Sequence, residues 1–492
     1  MKSGRFGAVA SILALLTACG GGGGSTGGTV STPIASAPTP TPAPVSSPTP
    51  TATAGCSLRE RQDWAAAQLR EWYLFPETLP ASLDPTPYTS VDTYIDALTA
   101  TARSQRRDRY FTYVTSIAAE NAYYASGETA GFGFRLTTNA AQRRVFIAES
   151  FEGTPALNAG IDRGAELLAI GTTTANLRTV SDIIASEGPG GVTNALGPNF
   201  AGTTRVLRFR NPAGVVTEVS IAKTDYSLDP VSSRYGYKIL DDAGKKVGYV
   251  NLRTFISTAD PGLRTAFAAF RAAGVTEVIL DLRYNGGGLL SVANTFGDLL
   301  GGNRSTSDVF SYTTFRPEKS SNNSTKFFAP QPQSIATTKM AVIGASGTAS
   351  ASELVANAFI PYLGTNLALV GSNTFGKPVG QIALDRPQCD DRLRVVAFAT
   401  QNRDRSAAYY DGLASVMPRT CAASDDVGFP LGDPREASIA AALNFLGGRG
   451  CPSITLTSAT ASSARQSFGA APNELLIPDR PDTVQREVPG AF

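Results

Sequence analysis

"GTASASELVANAF", residues 347–359, sets a cluster of small hydroxyl-bearing residues at the mouth of an apolar, helix-patterned run. Ser350 and Glu353 match the capping box S-x-x-E, so a serine that merely caps a helix accounts for the local pattern. The flanks carry the fold. "KMAVIGA" before the stretch and "LALVG" after it are apolar strand patterns, and upstream "TEVILDL" leads into the helix-like "LLSVANTFGDLLG". Strands alternating with helices in this way predict βαβ units around a largely buried parallel sheet. Function in such sheets sits in the loops that follow the strands.

Three of these loops are expected to converge: "DLRYNGGG" (281–288), "GASGTASASE" (344–353) and "GSNTFGKPVGQ" (371–381). The last satisfies G-x-x-x-x-G-K, but Pro378 stands where a phosphate loop needs Ser or Thr. The metal-binding hydroxyl and one backbone N–H are both missing, which excludes a nucleotide site. An acyl-transfer site needs a nucleophile, a base and N–H donors for the oxyanion. The chain has no histidine, so a Ser-His-Asp triad is ruled out, and lysine is the available base once burial lowers its pKa. Lys377 is an isolated charge among apolar, Gly and Pro residues, a setting that suits such a base and equally a side chain that snorkels to solvent. Ser350 at a helix start brings the Ala351 N–H and the helix dipole beside developing negative charge. Gly287, which lets backbone approach a substrate closely, is the expected second donor.

"DLRYNGGG", "TASASE" and "TFGKPVGQ", in that order, resemble the C-terminal processing (tail-specific) peptidases, serine-peptidase family forty-one. The resemblance covers roughly residues 60 to 445. It implies a crotonase/ClpP-like α/β core with a Ser/Lys dyad: Ser350 as nucleophile, Lys377 as base, Gln381 orienting the lysine, Glu353 as the motif's glutamate, and Ala351 with Gly287 at the oxyanion positions. Thr348 replaces the motif's first serine, and Pro361 in "FIPYLG" suggests a loop insertion before the next strand. No cofactor and no metal are implied. Upstream, "GFGFRL" and "GTPALNAGIDRGAELLAIG" resemble the carboxylate-binding loop and later pattern of a PDZ domain, with Ala165 in place of a common aspartate. Gly131, Phe132 and Gly133 would offer N–H groups to a terminal carboxylate while the peptide adds as a strand, and Phe132 and Phe134 would flank an apolar pocket. The expected partners are polypeptides with free C-termini. The competing reading is a non-catalytic PDZ-containing scaffold lipoprotein on a peptidase-like core.

The N-terminus carries Lys2 and Arg5 before the apolar "FGAVASILALL" and then "LTAC" ending at Cys19, a secretory signal whose cleavage site resembles a bacterial lipobox. Lipidation of Cys19 is expected, with acyl chains as the only membrane attachment and with an outer-membrane location facing the periplasm or the cell surface. Four cysteines remain, an even number in an exported chain where disulfides persist; Cys389–Cys421 and Cys56–Cys451 are the expected pairs. The 43 basic and 41 acidic residues balance to +2 without long runs of one sign, which excludes the electrostatic footprint of a nucleic-acid binder. Texture divides the chain into a signal (1–18), a Gly/Ser/Thr/Pro tether (19–55), a helical domain (56–127), a β-rich PDZ-like domain (128–224), the α/β peptidase core (225–450) and a polar tail (451–492).

Overall fold

The computed structural model describes residues 54–455, 473–478 and 480–492; the signal, Cys19 and all but the last two residues of the tether lie outside them. A six-stranded sheet runs in the order Tyr237–Asp242, Lys245–Asn251, Glu277–Asp281, Lys339–Gly344, Leu367–Gly371 and Arg419–Ala422. Its first pair is antiparallel and the rest are parallel. Side chains alternate between two cores. Val278 and Leu280 point towards Phe267, Phe296 and Leu354 of the helices Ala259–Ala272, Leu290–Leu300 and Ala351–Leu363. Ile279 points the other way, towards Ile439 and Leu443 of Ala437–Leu446. Coverage on both faces is why these strands read as unbroken apolar runs.

A second sheet is built around the long strand Asp391–Gln401, which pairs with Tyr113–Ser116, Val309–Phe315 and Val379–Arg386. The helices Leu58–Trp72 and Val91–Leu98 pack on it, with Leu69, Tyr94 and Ile95 sharing one core with Leu393, Val395 and Val396. A third, β-rich sheet runs Glu474–Leu475, Phe134–Asn139, Arg144–Ser150, Glu166–Gly171, Thr204–Arg210 and Val216–Ala222. Its first member comes from the polar tail.

Two expectations are corrected. The disulfides are Cys56–Cys389 and Cys421–Cys451, not Cys389–Cys421 and Cys56–Cys451. The start of Leu58–Trp72 lies against the turn at Cys389, where Arg386 donates to the Glu60 carbonyl at 2.8 Å and Arg61 to Asp391 at 2.6 Å. Cys451 follows the helix that packs on Arg419–Ala422, and Ala422 N–H bonds the Pro452 carbonyl at 2.7 Å. Pro361 marks no loop: it lies inside the helix Ala351–Leu363. Its missing N–H frees the Asn357 carbonyl four residues back, and Asn402 Nδ2 donates to that oxygen at 3.3 Å.

Candidate active site

Ser350 stands between the strand Lys339–Gly344 and the helix Ala351–Leu363, with φ 54° and ψ −115°. Such a backbone is strained for a residue with a Cβ and is held only by its surroundings. Those surroundings are two neighbouring loops. Thr348 Oγ1 donates to the Leu282 carbonyl at 2.6 Å, Ala349 N–H to the Asn285 carbonyl at 3.1 Å, and Ser352 Oγ to the same carbonyl at 3.0 Å. On the other side, Phe375 N–H donates to the Thr348 carbonyl at 2.9 Å. The three loops expected to converge do converge.

Glu353 is the knot. Its buried carboxylate accepts Ser350 N–H at 3.0 Å, Thr374 Oγ1 at 2.6 Å, and the N–H groups of Gly376 and Lys377 at 2.7 Å each. Burial lifts this carboxyl above its ordinary range, while the four donors pull it back. One side chain thus fixes the backbone of Ser350 against that of Lys377. The capping motif read from the sequence serves the helix and the neighbouring loop together.

Lys377 Nζ donates to Gln381 Oε1 at 2.8 Å, and Gln381 Nε2 donates in turn to the Phe111 carbonyl. The Phe111 ring lies 5.1 Å from the ammonium. Desolvation pushes the amine below its usual value, against an opposing pull from the Glu487 carboxylate. Among the described residues no hydrogen bond joins Ser350 Oγ to Lys377 Nζ; the structure brings the two loops together without closing that last contact.

Gly287, at φ 120°, presses so closely on the serine that a Cβ there would come within 2.8 Å of Ser350 Cβ. Its N–H, however, donates to Asn285 Oδ1 at 2.9 Å, so the expected oxyanion donor is turned to its own loop. Ala351 N–H lies in the first turn of the helix, where no carbonyl four residues back can take it. A cleft of about 510 Å³ opens beside these groups, lined by Lys377, Phe111, Ala349, Gly286 and Phe375 and closed on one side by Glu487. Among the described residues, no group of three or more His, Cys, Asp or Glu side chains is placed to hold a metal ion.

The PDZ-like Phe132 and Phe134 belong to a different core from Ala351, the residue after the serine. Phe132 and Phe134 are wholly buried and stack with ring centroids 5.6 Å apart. The N–H groups of Gly133 and Phe134 both point to the Phe492 backbone oxygen, at 3.0 and 3.4 Å, and Gly131 lies against the carbonyl carbon of the same residue. Sequence reasoning missed Asn285, Phe111, Arg109 and Glu487. Arg109 holds the lysine loop through the carbonyls of Phe375, Gly376 and Tyr410.

Residues 246–408 match the model of peptidase family S41. A carboxyl-terminal-processing protease of Picosynechococcus sp. is 26% identical over 326 residues, covering 65% of this chain and 71% of that one. Another, from Synechocystis sp., is 29% identical over 255 residues, 51% of this chain and 54% of its relative. This chain therefore spans only about half the length of the second. A crystal structure of a Bacteroides fragilis protein assigned to the S41 proteases superimposes with a TM-score of 0.59 at 22% identity, over 78% of this chain and 97% of that one, a likeness of fold. The stretch 246–408, which carries Gly287, Ser350, Glu353, Lys377 and Gln381, is thus the part of the chain that is similar to peptidase family S41.

Proposed function

We propose that the chain is a serine endopeptidase of the C-terminal processing kind, with Ser350 as nucleophile and Lys377 as general base. The observation that carries the reading is Glu353, whose single carboxylate binds the backbone N–H of both residues at 3.0 and 2.7 Å. Neutral Lys377 takes the Ser350 hydroxyl proton as Oγ attacks a peptide carbonyl, and the oxyanion forms towards the Ala351 N–H. The ammonium then gives its proton to the leaving amine, so the C–N bond breaks and an acyl-serine ester remains. Lys377, neutral again, deprotonates a water that attacks the ester; the acyl C–Oγ bond breaks, and the ammonium returns the proton to Ser350 Oγ as the acid product leaves. Gln381 keeps the amine aimed. Gly287 completes the oxyanion site only when its N–H leaves Asn285.

The β-rich unit would select substrates by their C-termini, through the glycine-loop amides and strand addition along Phe134–Asn139. Export follows from the N-terminal signal, and two disulfides suit an oxidising compartment. Lipidation of Cys19 is part of this proposal. Labelled fatty acid should enter the wild-type chain and not Cys19→Ser.

The decisive experiment is turnover of an unstructured protein by wild type and Ser350→Ala. Loss of cleavage in the variant is expected. Equal rates would remove Ser350 from the mechanism, and absence of cleavage in both would favour the scaffold reading.

A further inference from the structure

The edge of the strand Phe134–Asn139, where a substrate strand would add, is already filled. Glu474 and Leu475 pair with Thr138 and Thr137, and Leu476 N–H donates to the Leu136 carbonyl at 3.0 Å. Further along the same edge, Leu136 N–H donates to the Gly490 carbonyl at 2.9 Å, Ala491 bridges Arg135, and Phe492 N–H donates to the Phe134 carbonyl at 2.9 Å. The Phe492 oxygen accepts from Gly133 and Phe134. Its ring is 3% exposed, in one core with Phe132, Phe134 and Ile147. This is strand addition with an apolar anchor, the mode expected of a peptide ligand.

The same segment reaches the candidate active site. Gly286 N–H donates to the Glu487 carbonyl at 2.9 Å. A Cβ on Gly286 would come within 1.9 Å of the Arg486 carbonyl oxygen, so the tail lies directly on the glycine loop. The next residue, Gly287, is the one whose N–H is turned to Asn285. Arg486 and Glu487 also wall the cleft that holds Lys377.

We propose that the segment of residues 473–478 and 480–492 is the resident ligand of the peptide groove, a strand of the chain itself that substrates must displace before the site can work. The proposal rests on the peptidase reading for its consequence, but its binding half stands without it. The ligand class follows from what fills the groove: an extended segment with a large apolar residue in the Phe492 place, small residues such as Ala491 and Gly490 before it, and backbone free to pair. While the segment is seated it holds Gly286 and covers the cleft. Departure uncovers both at once.

A chain with a site-specific protease sequence inserted between Ala464 and Arg465 allows the segment to be cut free after folding. Covalent connection holds a bound segment at an effective concentration on the order of 1 mM, so cutting and diluting to about 1 µM should weaken its hold by up to about a thousandfold. Two readouts follow. In the Ser350→Ala background, a fluorescent peptide of residues 483–492 should bind the cut chain and not the intact one. In the active chain, turnover of an unstructured protein should rise at least about tenfold on cutting, and adding the peptide should reverse the rise. Phe492→Asp in the uncut chain, which puts a carboxylate in the apolar seat, should reproduce both effects. Equal peptide binding before and after cutting, or turnover that stays level or falls, would overturn the proposal. The binding arm needs no catalysis, so a chain that cleaves nothing still decides it.

Discussion

Two buried glutamates bear on Lys377, and they are built differently. Glu353 comes from the serine's own helix and is saturated, with four donors drawn from the serine and lysine loops. Glu487 comes from the tail and accepts a side-chain bond from Tyr124 at 3.0 Å, while its other oxygen is buried without a partner among the described residues. Burial raises both carboxyls. The first holds backbone in place and has no reason to leave. The second acts on the lysine through charge alone, and the segment carrying it is held by edge-strand pairing, backbone bonds and buried apolar residues such as Val488 and Phe492, none of them a covalent link. A permanent brace and a removable counter-ion are thus distinguishable by what satisfies each carboxylate.

The largest expected effect removes the group both glutamates serve. Lys377→Arg keeps a cation but cannot lose a proton, and it should lose the contribution of a general base, about 10²- to 10⁴-fold in turnover. It should be as inactive as Lys377→Ala; substantial activity in the arginine variant would break the dyad assignment and with it the comparison. Next comes Glu353→Gln. An amide has one oxygen where the carboxylate uses two, so two of the four donors lose an acceptor at about 1–3 kcal/mol each. Thermal unfolding should show the loss, together with reduced turnover; an unchanged melting temperature would mean that Glu353 is no brace. Smaller still is Gln381→Ala, which removes one charge-assisted bond to Lys377. About tenfold in kcat with KM unchanged is expected, corresponding to about 1.4 kcal/mol.

How far the sequence carried the reading follows from the range of each signal. Strand–loop–helix alternation singled out Ser350 and Lys377 because each lies in a loop after a strand, whereas Gln381 came only from the family resemblance. Asn285 was within reach as well: an asparagine that bonds the N–H two residues on is a local turn habit, and it accounts for the unexpected direction of Gly287 N–H. Glu487 was not. It belongs to the five-residue helix Thr483–Glu487 in a polar tail with no apolar period to read, and its contacts with Tyr124 and Gly286 are with residues far away in sequence. Disulfide pairing failed for the same reason. Four cysteines allow three connectivities, and only the packing of helix ends on strands chooses among them.

The finest test separates the two glutamates by pH. Catalysis requires the neutral amine, so activity should rise with pH along a limb set by Lys377. Burial lowers that limb, and the Glu487 charge, which favours the ammonium, pulls it back up. In Glu487→Gln the burial effect is unopposed, the amine loses its proton at lower pH, and the limb should move to the acid side. Cutting the tail free removes the same charge from the cleft, although it also admits water, which weakens the desolvation. The glutamine substitution should therefore shift the limb in the intact chain and add nothing further once the tail has been cut and diluted away. A limb that stays put in the intact variant, or moves to the alkaline side, would show that Glu487 is not the counter-ion of Lys377. A shift of equal size in the cut chain would show that the tail never left.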